Sequence, residues 1–186
     1  IDSIAIARWL MTVEYKPHPI GFYHTYSLKS LTRLRDSLVK QRSFYLVKMT
    51  NVLDHIFPEF KPFFKNRFGK TALYLLEHYG SAEKMACMNS KSYDNLRRIY
   101  RGKFSLQKFL KLKDLAKNTV GGDNELFVFQ LNSLLSLYKQ AAHEVDSLEK
   151  QIISLVKELS PRSLTIPGIG ALFEAVINPE YGNLTN

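Results

Sequence analysis

From Asn124 to Leu159 the apolar residues Phe127, Leu131, Leu134, Tyr138, Ala141, Val145, Leu148, Ile152, Leu155 and Leu159 recur at alternating steps of three and four. That spacing predicts one helix burying a narrow seam against another helix. No glycine or proline interrupts it, and Gly121-Gly122-Asp123 before it and Pro161 after it are start and stop signals. At 1.5 Å per residue such a helix is roughly 50 Å long. A small globular core cannot cover that length, so the helix needs a long partner.

Ser27 to about Phe57 predicts one. Leu28, Leu31, Arg35, Leu38, Arg42, Tyr45, Met49, Val52 and Ile56 follow the same alternation, and Pro58 ends the run. Two arginines in a seam are costly if buried without a partner. Either acidic residues of the facing helix meet Arg35 and Arg42, or their stems pack while their heads reach solvent or a phosphate. The aromatics Phe57, Phe60, Phe63, Phe64 and Phe68, interleaved with Lys61, Lys65 and Arg67, have two readings. They cap the end of a helical hairpin, or they stack on bases beside phosphate-neutralising cations.

Shorter elements surround these two. Asp2 to about Glu14 predicts a short helix with Ile4, Ala5, Ala7, Leu10 and Met11 on its apolar face, and Tyr15–Tyr26, with Pro17, Pro19 and Gly21, a connector. Between Lys70 and Asn118 the pattern breaks into short helices near Thr71–His78, Ala82–Met88, Tyr93–Tyr100 and Ser105–Lys117. Gly80-Ser81, Asn89-Ser90 and Gly102 separate them. Strand signals are weak throughout. The fold expected is all-α: long antiparallel or intermolecular coiled-coil helices, with short helices between them and the start of a helix–hairpin–helix at the C-terminal end. The parts are residues 1–14, 15–159 and 160–186.

Charge sharpens this division. The 186 residues carry a formal charge of +9, which favours a polyanionic partner. From Lys84 to Lys117 ten Lys or Arg stand against two acids, whereas Asn124–Leu159 holds three lysines against five acids. The long second helix is the acidic element of a basic chain and suits a basic helix better than nucleic acid. Arg97, Arg98, Arg101, Lys103, Lys108, Lys111 and Lys113 form the densest basic cluster, either a solvated face or a phosphate-contacting one. The single cysteine, Cys87, excludes an internal disulfide and favours a reducing compartment. No apolar run is long enough for a membrane helix. The five histidines show no metal-ligand spacing. The opening Ile1-Asp2-Ser3 and the end at Asn186 suggest a piece of a longer protein.

Thr165-Ile166-Pro167-Gly168-Ile169-Gly170, leading into Ala171–Ile177, is the most specific motif. Pro-Gly-apolar-Gly between helices is the helix–hairpin–helix pattern, in which the glycines let backbone N–H groups approach a phosphate. An ordinary tight helix connection is its plain alternative. This stretch, with Ala175, Ile177, Glu180 and Gly182, resembles the start of the C-terminal domain of the DEDD-type insertion-sequence transposases related to the Piv invertases, RNA-guided recombinases. Asp2-Ser3 with Ile6-Ala7 resembles the end of that family's RuvC-like domain, and the Leu- and Arg-rich helix ending at Phe57-Pro58-Glu59 is similar to its middle. The resemblance implies that Asp2 is the last of four acidic ligands for Mg²⁺, the others lying outside this chain together with a nucleophilic serine. Ser3 replaces the usual Ala, and Ala171, Phe173 and Glu174 replace Pro, Thr and Ala. Glu174 puts an acid close to the expected phosphate.

The expected function is the central part of an insertion-sequence transposase or site-specific recombinase in the bacterial cytoplasm, inactive by itself. It would bind DNA, with guide RNA as a further partner, and assemble as a homo-oligomer of two or more copies. Gly168, Ile169, Gly170, Arg97, Arg98, Arg101, Lys103, Lys108, Lys111, Arg35 and Arg42 are its candidate nucleic-acid contacts. A non-enzymatic coiled-coil scaffold with a helix–hairpin–helix foot is the rival from another class, and a structural module with a solvated basic surface is a third.

Overall fold

The computed structural model describes residues 20–64, 68–100, 104–122, 124–159, 164 and 169–181. Among the described residues eight helices follow in order: α1 Ile20–Ile56, α2 Phe60–Phe63, α3 Lys70–His78, α4 Ala82–Ala86, α5 Ser90–Ile99, α6 Leu106–Lys117, α7 Glu125–Leu159 and α8 Ala171–Tyr181. Among the described residues there is no strand, so the fold is all-α. The short helix expected from Asp2 to about Glu14 lies outside them. α1 starts seven residues earlier than its apolar pattern suggests. Pro19 precedes it, and a proline's fixed φ suits the first positions of a helix; Gly21 inside it does not break it.

The chain divides into two compact units, residues 36–146 on the one hand and residues 1–35 with 147–186 on the other. In the second of these, Leu28, Ile152, Val156 and Ala175 form a buried cluster, with Leu31, Leu155, Ala171 and Leu172 half-buried against it. Leu28 thus clusters with Ile152 and Val156 while Arg35 bonds Glu149. Ascending numbers on α1 meet descending numbers on α7, so here the two helices of one chain lie antiparallel. In the larger unit the His55 ring stacks on Phe127, centroids 5.2 Å apart. The described seam positions are all buried or half-buried, and Leu53, Leu135 and Val156 widen it.

The larger unit builds its core from the end of α1, the start of α7 and the short helices between. Met49, Leu53, Phe60, Leu75, Leu76, Met85, Leu96, Leu112 and Leu131 are each at most 2% exposed. Deleting any of these to Ala costs about 2–5 kcal/mol by transfer and cavity formation. Phe57 and Phe60 are fully buried, and Phe60–Phe64 and Phe63–Phe64 ring centroids are 4.8 Å apart. These aromatics pack at the end of α1 and are not a stacking surface for bases. The short helices begin where capping side chains occur. Ser81 accepts from the Lys84 N–H and Ser105 from the Lys108 N–H; Asn89 and Ser92 form a reciprocal capping box. Gly80 follows α3 at φ 63°, the left-handed position that glycine takes without penalty.

The end of α1 is tied to the segment that precedes α7. Phe57 closes the last α1 bond to Leu53, and Pro58 then forbids continuation. The Gly122 N–H donates to the His55 carbonyl at 2.9 Å, satisfying one of the carbonyls a helix end leaves open. Glu59 accepts from the Thr119 hydroxyl at 2.6 Å and from the Val120 N–H at 3.1 Å. Partial burial pushes the Glu59 carboxyl up, but these bonds and its own N–H outweigh that and hold it below the ordinary carboxylate value.

Two outcomes follow from this closure. A Cβ on Gly121 would sit 2.5 Å from the Ile56 carbonyl carbon and closer still to its oxygen, whereas one on Gly122 meets nothing within 4 Å. Gly121→Ala is therefore expected to cost about 1–3 kcal/mol in urea denaturation and Gly122→Ala little; equal costs would remove this close approach as the reason for the glycine. A carboxyl with a lowered folded pKa contributes stability above its unfolded pKa and loses it as pH falls through the folded one. The denaturation-midpoint gap between wild type and Glu59→Gln should thus shrink on acidification below the ordinary carboxylate range. A gap that stays constant from neutral to strongly acidic pH would exclude a depressed Glu59.

Candidate nucleic-acid interface

The cluster of exposed cations belongs to α5 and α6, both in the larger unit. The Lys113 ammonium bonds the Met88 carbonyl just before α5, and the Tyr93 and Phe109 rings lie 5.2 Å apart. The pairs 88–113 and 93–109 run in opposite senses, so the helices are antiparallel. Arg97, one turn beyond Tyr93, therefore lies toward the start of α6. Lys108 and Lys111, three residues apart on α6, share a face there. These three side chains, and that of Arg98, are exposed. The structure thus places Arg97 and Arg98 at the end of α5 and Lys108 and Lys111 in the first half of α6, all four exposed.

Their local electrostatics differ. Arg97 and Arg98 occupy the last turn of α5, where a cation complements the partial negative charge of the helix end. Arg98 also reaches the Asn95 side chain at 3.4 Å. Their presence is explained in part by helix stability. Lys108 is the opposite case. It sits in the first turn of α6, where no acid is found and where a cation meets the positive end of the dipole. A lysine there does not serve its own helix, and its exposed charge adds to the positive end of the dipole, which favours an anion.

Lys113 leaves the cluster that the sequence suggests. It is half-buried, bonded to Met88 and placed over the Phe109 ring at 5.9 Å, so it ties α6 to the segment between α4 and α5. Next to this pair, the Tyr100 hydroxyl donates to the Lys70 carbonyl at 2.8 Å. Burial, with Tyr74 and Glu77 nearby, pushes that phenol above its ordinary value. It is a packing contact, and the sequence offers no signal for it beyond the residue type.

The other candidates are placed elsewhere. Arg35 donates through Nε at 3.0 Å and Nη2 at 2.6 Å to the same Glu149 oxygen. This is the acidic-neighbour alternative for an arginine in the seam. Arg42 is half-buried. Asp2, Arg101, Lys103 and Gly168 lie outside the described residues. Ile169 and Gly170 precede α8, and a Cβ on Gly170 would meet nothing within 4 Å. The Glu174 N–H donates to the Gly170 carbonyl at 3.0 Å, and the Glu174 side chain, in the first turn of α8, is 2% exposed. The position at which a phosphate would favour that helix start already carries a carboxyl.

Among the described residues no three His, Cys, Asp or Glu side chains group where they could hold a metal ion, and no helix is long and apolar enough to cross a membrane. A cavity of about 360 Å³ in the larger unit is walled by Ile56, Ala82, Ala86 and Ala116, with Glu83 and Lys117 at it. It is mainly apolar and gathers no set of groups for acid–base or nucleophilic chemistry.

No family model, curated protein or solved structure matches this chain.

A double-mutant cycle of Arg35→Ala and Glu149→Ala, read by chemical denaturation, is expected to give a coupling of about 1 kcal/mol, as for a partly exposed pair held by two N–H donors. A coupling indistinguishable from zero would return Arg35 to the set of cations available to a ligand.

Proposed function

We propose that this chain is the central helical part of a DNA transposase or site-specific recombinase of an insertion sequence, and that its α5–α6 face contacts the DNA backbone. The observation that carries the nucleic-acid part is the exposed quartet Arg97, Arg98, Lys108 and Lys111, with Lys108 opposing its own helix dipole. Four exposed cations suit phosphates, whose contacts position a protein without specifying sequence. Guide RNA presents the same phosphate chemistry to this face. The larger assignment rests on the resemblance at the two ends of the sequence and in its middle. There Asp2 supplies one carboxylate to a Mg²⁺ site completed elsewhere in the protein, and the bacterial cytoplasm is the compartment that offers the DNA.

In this reading the long helices do no chemistry. They form a scaffold that carries the basic face, with the reacting groups provided by the parts of the protein on either side. The helix–hairpin–helix scaffold without enzymatic activity makes the same use of α5 and α6. What separates the two is the gene. An upstream RuvC-like pattern with Asp and Glu and a downstream serine followed by glycine support the recombinase, and their absence overturns it.

The nucleic-acid reading is tested by titrating the 186-residue chain into duplex DNA at several salt concentrations. Four neutralised phosphates predict a slope of log K against log salt of about −3.6. Arg97→Glu with Arg98→Glu should weaken binding across unrelated sequences and make the slope shallower by about 2, with the fold kept and the denaturation midpoint lowered a little by the loss of two cations from the last turn of α5. A flat salt dependence, or no binding at low salt, would overturn both nucleic-acid readings.

A further inference from the structure

The cavity in the larger unit carries polar groups that its packing does not use. Ala82 and Ala86 stand one turn apart on α4 and share a face, and α4 packs on α6. With Ala116 of α6 and Gly121 they make walls of small residues, to which Ile56 of α1 adds a large apolar one. The resulting volume of about 360 Å³ lies within the span of small-molecule sites, about 300–1,000 Å³. Two exposed opposite charges line the same space, Glu83 on α4 and Lys117 at the end of α6. Among the described residues neither side chain has a hydrogen bond or an ion pair, with the other or with anything else. Ser81 lines it too. That side chain is 7% exposed, its oxygen accepts from the Lys84 N–H at 3.3 Å, and its own hydrogen goes to no described residue.

We propose that this cavity binds a free α-amino acid with an aliphatic side chain, such as leucine. The aliphatic body lies against Ile56 and the three alanines, the ammonium meets the Glu83 carboxylate, and the carboxylate meets the Lys117 ammonium and the Ser81 hydroxyl. Charge complementarity selects this class of ligand. A fatty acid leaves Glu83 unanswered, a simple amine leaves Lys117 and Ser81 so, and a plain hydrocarbon answers none of the three. Phosphates of a polyanion would find one cation and an acid at the same site, so they gain little. A free amino acid carries both charges on one carbon, next to an apolar body, and answers every group.

Thr119 and Gly121 line the cavity and also take part in the closure of α1, through Glu59 and the Ile56 backbone. An occupant therefore adds to the stability of the closed form by mass action. Exposed charges contribute modestly, about fivefold in affinity each, so with one aliphatic side chain buried the dissociation constant is roughly millimolar. Arg97, Arg98, Lys108 and Lys111 take no part, and the inference stands apart from the nucleic-acid reading.

An NMR titration of the isotope-labelled 186-residue chain tests it with three probes: L-leucine, isocaproate, which is leucine without its ammonium, and isoamylamine, which is leucine without its carboxylate. Leucine should shift the amide signals of Ala82, Ala86, Ala116 and Gly121, and each of the other two should bind about fivefold more weakly. Glu83→Gln should weaken leucine about fivefold and leave isocaproate unchanged. Lys117→Gln should weaken leucine similarly and leave isoamylamine unchanged. Both charges also suit the ends of their helices, so each variant lowers the denaturation midpoint a little, and affinity is the quantity read. Ala86→Leu, which fills the space, should abolish the shifts. Leucine that moves none of the four amides at concentrations well above millimolar overturns the proposal. Equal affinities for the three probes, or leucine binding unaltered by both charge variants, overturn it too and leave a cavity that takes any apolar body.

Discussion

The close approach of Gly121 to the backbone of Ile56 is the constraint on which the larger unit depends. A long helix that ends must satisfy its last carbonyls and turn its chain away without burying unpaired polar groups. Here the segment before the second long helix does this for the first. Gly122 bonds the His55 carbonyl, and the carboxyl of Glu59 gathers the Thr119 hydroxyl and the Val120 N–H. Only a residue without a side chain fits at 121. Once the end of α1 and the start of α7 are tied together in this way, the register of His55 against Phe127 is set locally. The short helices between them then have to close over the core that the two long ones leave open.

Periodicity made much of this legible. The seams of α1 and α7 are strict enough that the described seam positions are buried or half-buried, and the short helices begin within three residues of where the pattern and its loop signals place them. What periodicity cannot convey is which polar side chain answers which backbone group sixty residues away. Glu59 and Thr119 look like ordinary loop residues, and nothing local links them. The start of α1 was hidden for a different reason. Pro17, Pro19 and Gly21 are breaker signals as composition, yet a proline just before a helix starts it.

The candidate site was legible as composition and only partly as geometry. Counting cations finds the stretch Lys84–Lys117, but the count treats Lys113 and Lys108 alike. The structure separates them: Lys113 gives its ammonium to the Met88 carbonyl and holds it over the Phe109 ring, while Lys108 is exposed in the first turn of α6. The same distinction applies in the seam. Arg35 gives two donors to Glu149, so its charge is neutralised within the chain. A guanidinium bonded in this way is a poor phosphate ligand, since a phosphate would have to displace a carboxylate already in place. Sequence spacing left both alternatives open; the facing acid decides between them for Arg35.

Net charge acts on two kinds of association, with polyanions and with other copies of the chain. A chain with a net charge of +9 attracts polyanions over much of its surface and repels its own copies for the same reason. α5 and α6 concentrate cations at the end of one helix and the start of the other. Salt acts on the two in opposite directions. Screening weakens contacts between cations and phosphates, and it relieves the repulsion that any contact between copies must overcome. Binding of a polyanion would do what salt does for self-association, because each neutralised cation lowers the repulsion between copies.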